Sequence, residues 1–186
     1  MLPLGTPAPD FTLSDVVSGK KVSRTDFEGR PLLMMFICAH CPFVIHLQDA
    51  LASLLQRYKG TALAPVALCS NSVKTHPGDA PDKLAAQARS CSFSFPYLHD
   101  ETQSVAKAYT AACTPDFFLF DASHRLVYRG QFDDSRPNSG LPISGEDLRK
   151  AIDAVLAGHE ALAEQKPSIG CNIKWHPGQE PDYFGS

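Results

Sequence analysis

Apolar positions along the chain fall into blocks whose spacing separates strands from helices. Residues 32–37, Leu-Leu-Met-Met-Phe-Ile, are apolar without interruption, and Pro31 and Cys38 extend the run. A strand covered on both faces fits this pattern, as in a sheet enclosed by helices. Beyond Pro42, apolar side chains recur at Phe43, Val44, Leu47, Leu51, Leu54, Leu55 and Tyr58 until Lys59-Gly60 ends the pattern. That 3.6-residue period predicts an amphipathic helix.

Weaker patterns complete the order. Residues 11–14 and 20–23 flank a Gly-containing turn and predict an N-terminal hairpin, and residues 25–29 read as one helical turn closed by Gly29. Residues 63–69 are the next strand and residues 82–90, opened by Pro81, the next helix. Residues 95–98 form a short extended piece and 102–111 a helix; 116–121 and 125–130 are two strands about a turn, and 145–157 a last helix. Strands alternating with helices, followed by a hairpin, predict an α/β layered domain with a mixed sheet. Residues 137–142 are a loop, everything past Lys166 is a tail rich in Pro and Gly, and no internal repeat marks a second domain.

The 186 residues, 44% hydrophobic and 20% charged, suit one globular domain with residues left for that tail. A net charge of -3 supplies no basic field for phosphate contacts, so nucleic acid is not expected as a partner. The first ten residues lack the basic start and apolar run of a secretory signal. The apolar run at 31–38 is far shorter than the roughly 20 residues a membrane helix needs. A cytoplasmic location without membrane association is expected, and no cofactor. Six cysteines are too few for a disulfide scaffold in a chain of this length, so chemistry explains a closely spaced pair better.

Cys38-Ala39-His40-Cys41 is such a pair, set between the buried strand and the amphipathic helix. Unpaired N–H groups and the positive dipole end at a helix N-terminus favour a thiolate, and the thiolate is the nucleophile. Residues three apart in a first helical turn share a face, so the two sulfurs can close a small disulfide. A helix beginning around Cys38 would put that sulfur at the dipole and toward solvent, with Cys41 one turn further in. Cys38 is then the expected attacking thiol. His40 either adds positive charge beside the sulfurs or is a solvated loop residue. The spacing is also half of a zinc site, but no second Cys/His pair at ligand spacing follows, and no metal is assigned. His46, at the edge of the helix's apolar stripe, reads as packing. Thr114-Pro115 opens a later apolar strand through a bond that is either cis or a trans bond at a strand's first residue.

These features in order, a strand, Cys38-Ala39-His40-Cys41, a helix and a later Thr114-Pro115, resemble the thioredoxin superfamily. The opening Gly5-Thr6-Pro7-Ala8-Pro9-Asp10-Phe11-Thr12-Leu13 and the segment Phe118-Leu119-Phe120-Asp121 resemble its peroxiredoxin and thiol-reductase branch. Four motifs are similar to a bacterial peroxiredoxin-like, AhpC/TSA-related group. They are Cys38 to Val44, Cys113 to Phe118, Gln131 to Pro137, and the tail run from Pro167 to Trp175 that includes Gly170-Cys171-Asn172-Ile173-Lys174. The resemblance implies a thioredoxin fold over residues 1–165, with a mixed central sheet, an N-terminal hairpin extension and a C-terminal tail at 166–186. It also implies that Thr114-Pro115 is a cis-proline turn facing the sulfurs. Ile37 and His40 depart from thioredoxin, which has Trp and Pro there, and Cys38 occupies the place of the Thr in the peroxiredoxin loop.

In the implied fold Cys113 lies near the cis-proline turn, as an additional redox thiol, a soft-metal ligand or a small buried residue. Cys171 shares the tail with Trp175. A docked tail would bring Cys171 to the active site as a resolving thiol, or would only cover apolar surface. Cys69 and Cys91 read as packing, and Asp133, Asp134 and Arg136 as an ion pair, a substrate contact or a solvated turn. The leading reading is a thiol-disulfide oxidoreductase. Cys38 attacks a protein or small-molecule disulfide, Cys41 resolves the mixed disulfide, and an unidentified donor restores the thiols. One alternative is a thiol peroxidase in which Cys41 attacks peroxide to give a sulfenic acid that Cys38 or Cys171 condenses with. The other is a metal-binding or redox-sensing module using Cys38, Cys41 and Cys113 or a histidine.

Overall fold

The computed structural model describes residues 2–160 and 164–185; Met1 and Ser186, the outer ends of the expected domain and tail, lie outside the described residues. In chain order the strands and helices are β1 (Thr12–Asp15), β2 (Lys21–Ser23), β3 (Leu32–Phe36), α1 (Pro42–Arg57), β4 (Ala64–Cys69), α2 (Pro81–Ser90), β5 (Tyr97–His99), α3 (Ser104–Ala108), β6 (Cys113–Thr114), β7 (Asp116–Phe120), β8 (Leu126–Gly130), α4 (Glu146–Leu156) and β9 (Cys171–Asn172). Among the described residues a seven-stranded sheet runs β2-β1-β5-β4-β3-β7-β8. It is parallel across β3, β4 and β5 and antiparallel at its other pairings, the mixed sheet expected from the sequence.

The uninterrupted apolar run of β3 places that strand inside the sheet, buried at every position. Its side chains alternate between two apolar clusters. Leu33 and Met35 meet Val44 of α1, Leu84 of α2 and Leu148 of α4 on one face. Leu32, Met34 and Phe36 meet Val105 and Ala106 of α3 on the other, with Ile173 and Trp175 of the tail. Each such side chain taken fully out of water contributes about 1.5–3 kcal/mol, which makes this strand the sheet's main anchor.

The expected N-terminal hairpin forms, β1 pairing with β2, and β1 pairs also with β5, so that the hairpin continues the main sheet. One element differs from expectation. The helix expected over 102–111 is only Ser104–Ala108: Gln103, at φ 61°, starts it late, and Thr110, at φ 50°, turns the chain away. Among the described residues, no helix is long and apolar enough to cross a membrane.

Candidate active site

β3 carries the chain to the paired thiols, and Ile37 prolongs the ladder by donating to the Leu68 carbonyl at 2.9 Å. The next helix begins at Pro42, with Cys41 as its N-cap at φ -69° and ψ 124°. This corrects the expected start around Cys38. Proline at the first helical position stops the helix from extending further back only in part; its fixed φ suits that position and its missing N–H costs nothing there. The positive end of the helix dipole therefore lies at Cys41. Cys38 is not turned toward solvent: both thiols are 0% exposed.

The sulfurs of Cys38 and Cys41 are within hydrogen-bond reach of each other. The Cys38 thiol, donating to Cys41, is the largest influence lowering the Cys41 pKa; burial opposes it, and the side chains of Cys171 and Thr114 reinforce it. The same bond raises Cys38, as do its burial and the negative charge of Asp79. The interaction between the two thus favours ionisation at Cys41 over Cys38.

Asp79, 0% exposed, holds the intervening loop. Its Oδ1 accepts the amides of Ala39 at 2.8 Å and His40 at 3.2 Å, and its Oδ2 accepts Asn71 Nδ2 at 2.8 Å and pairs with His40 Nδ1 at 2.5 Å. His40 is therefore not a free loop residue; its ring also stacks on His76, with centroids 5.2 Å apart. Gln87 donates to the Cys38 carbonyl at 3.2 Å while accepting from the Tyr97 hydroxyl at 3.1 Å. Asp79, Asn71 and Gln87 belong to the site without being marked in the sequence as site residues. Their only sequence signal is a Pro77-Gly78-Asp79 turn after β4, which does not say what the carboxylate will meet.

On the opposite side stands Thr114-Pro115, whose peptide bond is cis. Thr114 Oγ1 lies 3.4 Å from Cys38 Sγ, and the Thr114 carbonyl lies 3.2 Å from Cys41 Sγ, to which the thiol form of Cys41 donates. The tail reaches this turn as well: β9 pairs antiparallel with β6, setting Cys171 opposite Thr114 and Asn172 opposite Cys113. Cys171 is thereby brought beside the turn that touches Cys41, and burial, with Cys41 as the next cause, pushes its pKa up to about 11. Cys113 is buried with its Sγ directed to the Pro115 carbonyl at 3.6 Å, and burial raises its pKa.

Cys38, His40 and Asp79 bring ligand atoms within 4.8 Å of one another, the one such trio among the described residues, and Cys113 is not part of it. The trio offers sulfur, nitrogen and oxygen donors to a borderline cation, but each Asp79 oxygen already accepts two hydrogen bonds. The 131–136 segment is mainly structural. Asp133 accepts the amides of Ser144 and Gly145, both at 2.7 Å, ahead of α4, and Ser135 links it to His46 at 3.1 Å. Asp134 pairs with Lys166 at 2.7 Å, and Arg136 donates to the carbonyls of Asp133 and Ser135. Cys69, at the end of β4, is fully buried and held protonated by that burial, and Cys91 caps α2; neither joins the site.

A model of the AhpC/TSA family matches residues 4–129. No curated protein matches the chain. Two crystal structures are similar over nearly all of it. A hypothetical protein from Sinorhizobium meliloti is 48% identical, with a TM-score of 0.93, covering 96% of this chain and 97% of its own. An uncharacterised conserved protein from Geobacillus kaustophilus is 49% identical, with a TM-score of 0.92, covering 95% and 94%. The thioredoxin domain of a thiol-disulfide oxidoreductase from Bacteroides vulgatus is 18% identical at a TM-score of 0.62, covering 81% of this chain and 98% of its own, a likeness of fold alone.

Proposed function

The chain belongs to the AhpC/TSA family, and from that premise we propose that it is a thiol-disulfide oxidoreductase working through Cys38 and Cys41. The observation that carries this reading is the position of Cys41, at the N-cap of α1 with its thiolate favoured and the Cys38 sulfur in hydrogen-bond reach. The order of attack is the reverse of the one the sequence suggested. The Cys41 thiolate attacks one sulfur of a substrate disulfide, forming a mixed disulfide and releasing the first substrate thiolate. Cys38 then loses its proton and attacks Cys41 Sγ, closing the Cys38–Cys41 bond and releasing the second thiolate. The substrate gains two electrons, and a dithiol donor returns the pair to the reduced state. His40 and Asp79, with ligand atoms within 4.8 Å of Cys38 Sγ, are near enough to take up its proton.

A second reading has its own support, because both sulfurs are closed to solvent and a small oxidant reaches them more readily than a protein disulfide. On peroxide, Cys41 would become a sulfenic acid with release of water, and Cys38 would condense with it in a second loss of water. Single-cysteine variants separate the two. With Cys171 also replaced by Ser, Cys38→Ser incubated with the aromatic disulfide dithiobis(nitrobenzoate) should hold a mixed disulfide on Cys41, located by peptide mass spectrometry, whereas Cys41→Ser should hold none at Cys38. Fast peroxide consumption without capture of the disulfide would favour the peroxidase instead. Capture at Cys38 but not at Cys41 would overturn the order of attack.

A further inference from the structure

The tail is fitted to the thiol site. Cys171 faces Thr114 across the β6–β9 ladder, the Thr114 carbonyl lies 3.2 Å from Cys41 Sγ, and the side chains of Cys171 and Cys41 influence each other's ionisation. Gly170 lies so close that a Cβ on it would fall 2.1 Å from the Thr114 carbonyl oxygen, so only glycine allows this approach. Beyond the ladder, the Lys174 carbonyl accepts the Ser72 amide at 2.8 Å and Gln103 Nε2 at 2.9 Å, and the Lys174 amide donates to Asn71 at 2.8 Å. Ile173 and Trp175 are buried beneath it. Cys171 differs from the other two thiols in one respect: it keeps part of its surface exposed, whereas Cys38 and Cys41 are 0% exposed.

We propose that Cys171 is a third redox thiol of this site, receiving the Cys41 sulfur from Cys38 to form a Cys41–Cys171 disulfide. The step is an internal exchange and needs no external oxidant. The Cys171 thiolate attacks Cys41 Sγ, the Cys41–Cys171 bond forms as the Cys38–Cys41 bond breaks, and Cys38 takes up the proton that Cys171 gave. The exchange carries the oxidised state from two closed sulfurs to one that a small reducing thiol can reach, so Cys171 is where electrons enter. The proposal rests on the dithiol reading above for the Cys38–Cys41 bond that starts it.

The test uses the full chain, oxidised with one equivalent of diamide and mapped by non-reducing peptide mass spectrometry. Wild type should contain both linkages, Cys171→Ser only Cys38–Cys41, and Cys38→Ser only Cys41–Cys171. Dithiothreitol should re-reduce oxidised Cys171→Ser at least about tenfold more slowly than wild type. If Cys41 and Cys171 both remain alkylatable in oxidised Cys38→Ser, and wild type contains no Cys41–Cys171 peptide, the relay is overturned while the dithiol reading stands. If Cys171→Ser contains no Cys38–Cys41 bond, the dithiol reading falls and the relay falls with it. Equal re-reduction rates would remove Cys171 as the entry point.

Discussion

Two pieces of chain meet the Thr114-Pro115 turn, and they are held there by different means. The loop from Ile37 to Cys41 is fixed by burial: its sulfurs are 0% exposed, and the buried Asp79 accepts two of its amides. The segment from Gly170 to His176 hangs on side-chain hooks from Asn71, Ser72 and Gln103 and on a two-residue ladder, with Ile173 and Trp175 as its apolar weight. One buried carboxylate holds four donors at the loop, whereas the tail's hydrogen bonds come from three separate side chains, Asn71, Ser72 and Gln103, each itself buried. The reactive loop thus depends on one carboxylate, whereas its cover depends on several side chains that substitution can remove one at a time.

Substitutions can break either side of this contrast. The largest effect belongs to Cys41→Ser, which should lower disulfide capture by at least about a thousandfold in a stopped-flow assay. Next is Asp79→Asn. It removes a charged acceptor from four hydrogen bonds and should cost about 1.5–3 kcal/mol, seen as a lower urea midpoint. It should also let Cys38 ionise at lower pH, since the Asp79 charge helps hold that thiol protonated.

A pH series tests the thiolate on Cys41. A thiol whose folded pKa is depressed stabilises the fold fully above its unfolded value, about 8.5, and that stabilisation is lost as pH falls through the folded value. Compared with Cys41→Ser, the reduced wild type should gain stability as pH rises from the acid range toward pH ~8.5 and lose it again above, where Cys38, raised by the same contact, ionises more readily in the unfolded chain, checked by urea midpoints across the series.

On the tail side, Gln103→Ala removes the contacts to Ser70, Lys174 and His176. Hydrogen exchange should speed up at the Ile173 and Lys174 amides, corresponding to about 1–3 kcal/mol of local opening, with little change in the loop. The smallest effect is expected of Lys166→Ala. Its partner Asp134 is solvent-exposed, and the urea midpoint should not move measurably.

The same contrast explains what could be read from the sequence. The order of elements, the mixed sheet and the pairing of Cys38 with Cys41 at a strand-to-helix junction follow from short-range signals: an apolar run, a 3.6-residue period and a Cys-x-x-Cys spacing; that Thr114 faces the sulfurs was implied only by the family resemblance. The start of α1 lies one turn later than the spacing suggests, because spacing alone does not say which cysteine caps the helix. Asp79 and Gln103 carried no pattern at all. A lone acid after a turn and a glutamine before a short helix acquire meaning only when distant segments close around them. Cys171 lay between these cases, since its motif was visible but its contact with Cys41 depends on how β9 pairs with β6.

That pairing carries a consequence of parity. Side chains alternate sides along an extended segment, so Cys171 turns toward Thr114, Asn172 is exposed and Ile173 is buried. Removing or adding one residue between Gly170 and Ile173 would leave the composition almost unchanged and yet exchange inside for outside. The sulfur would then lie on the surface, where its nearest available partner is the same sulfur on another molecule. A chain altered in this way should be recognised by covalent dimers on a non-reducing gel: an intramolecular thiol turned into an intermolecular one by a count of one.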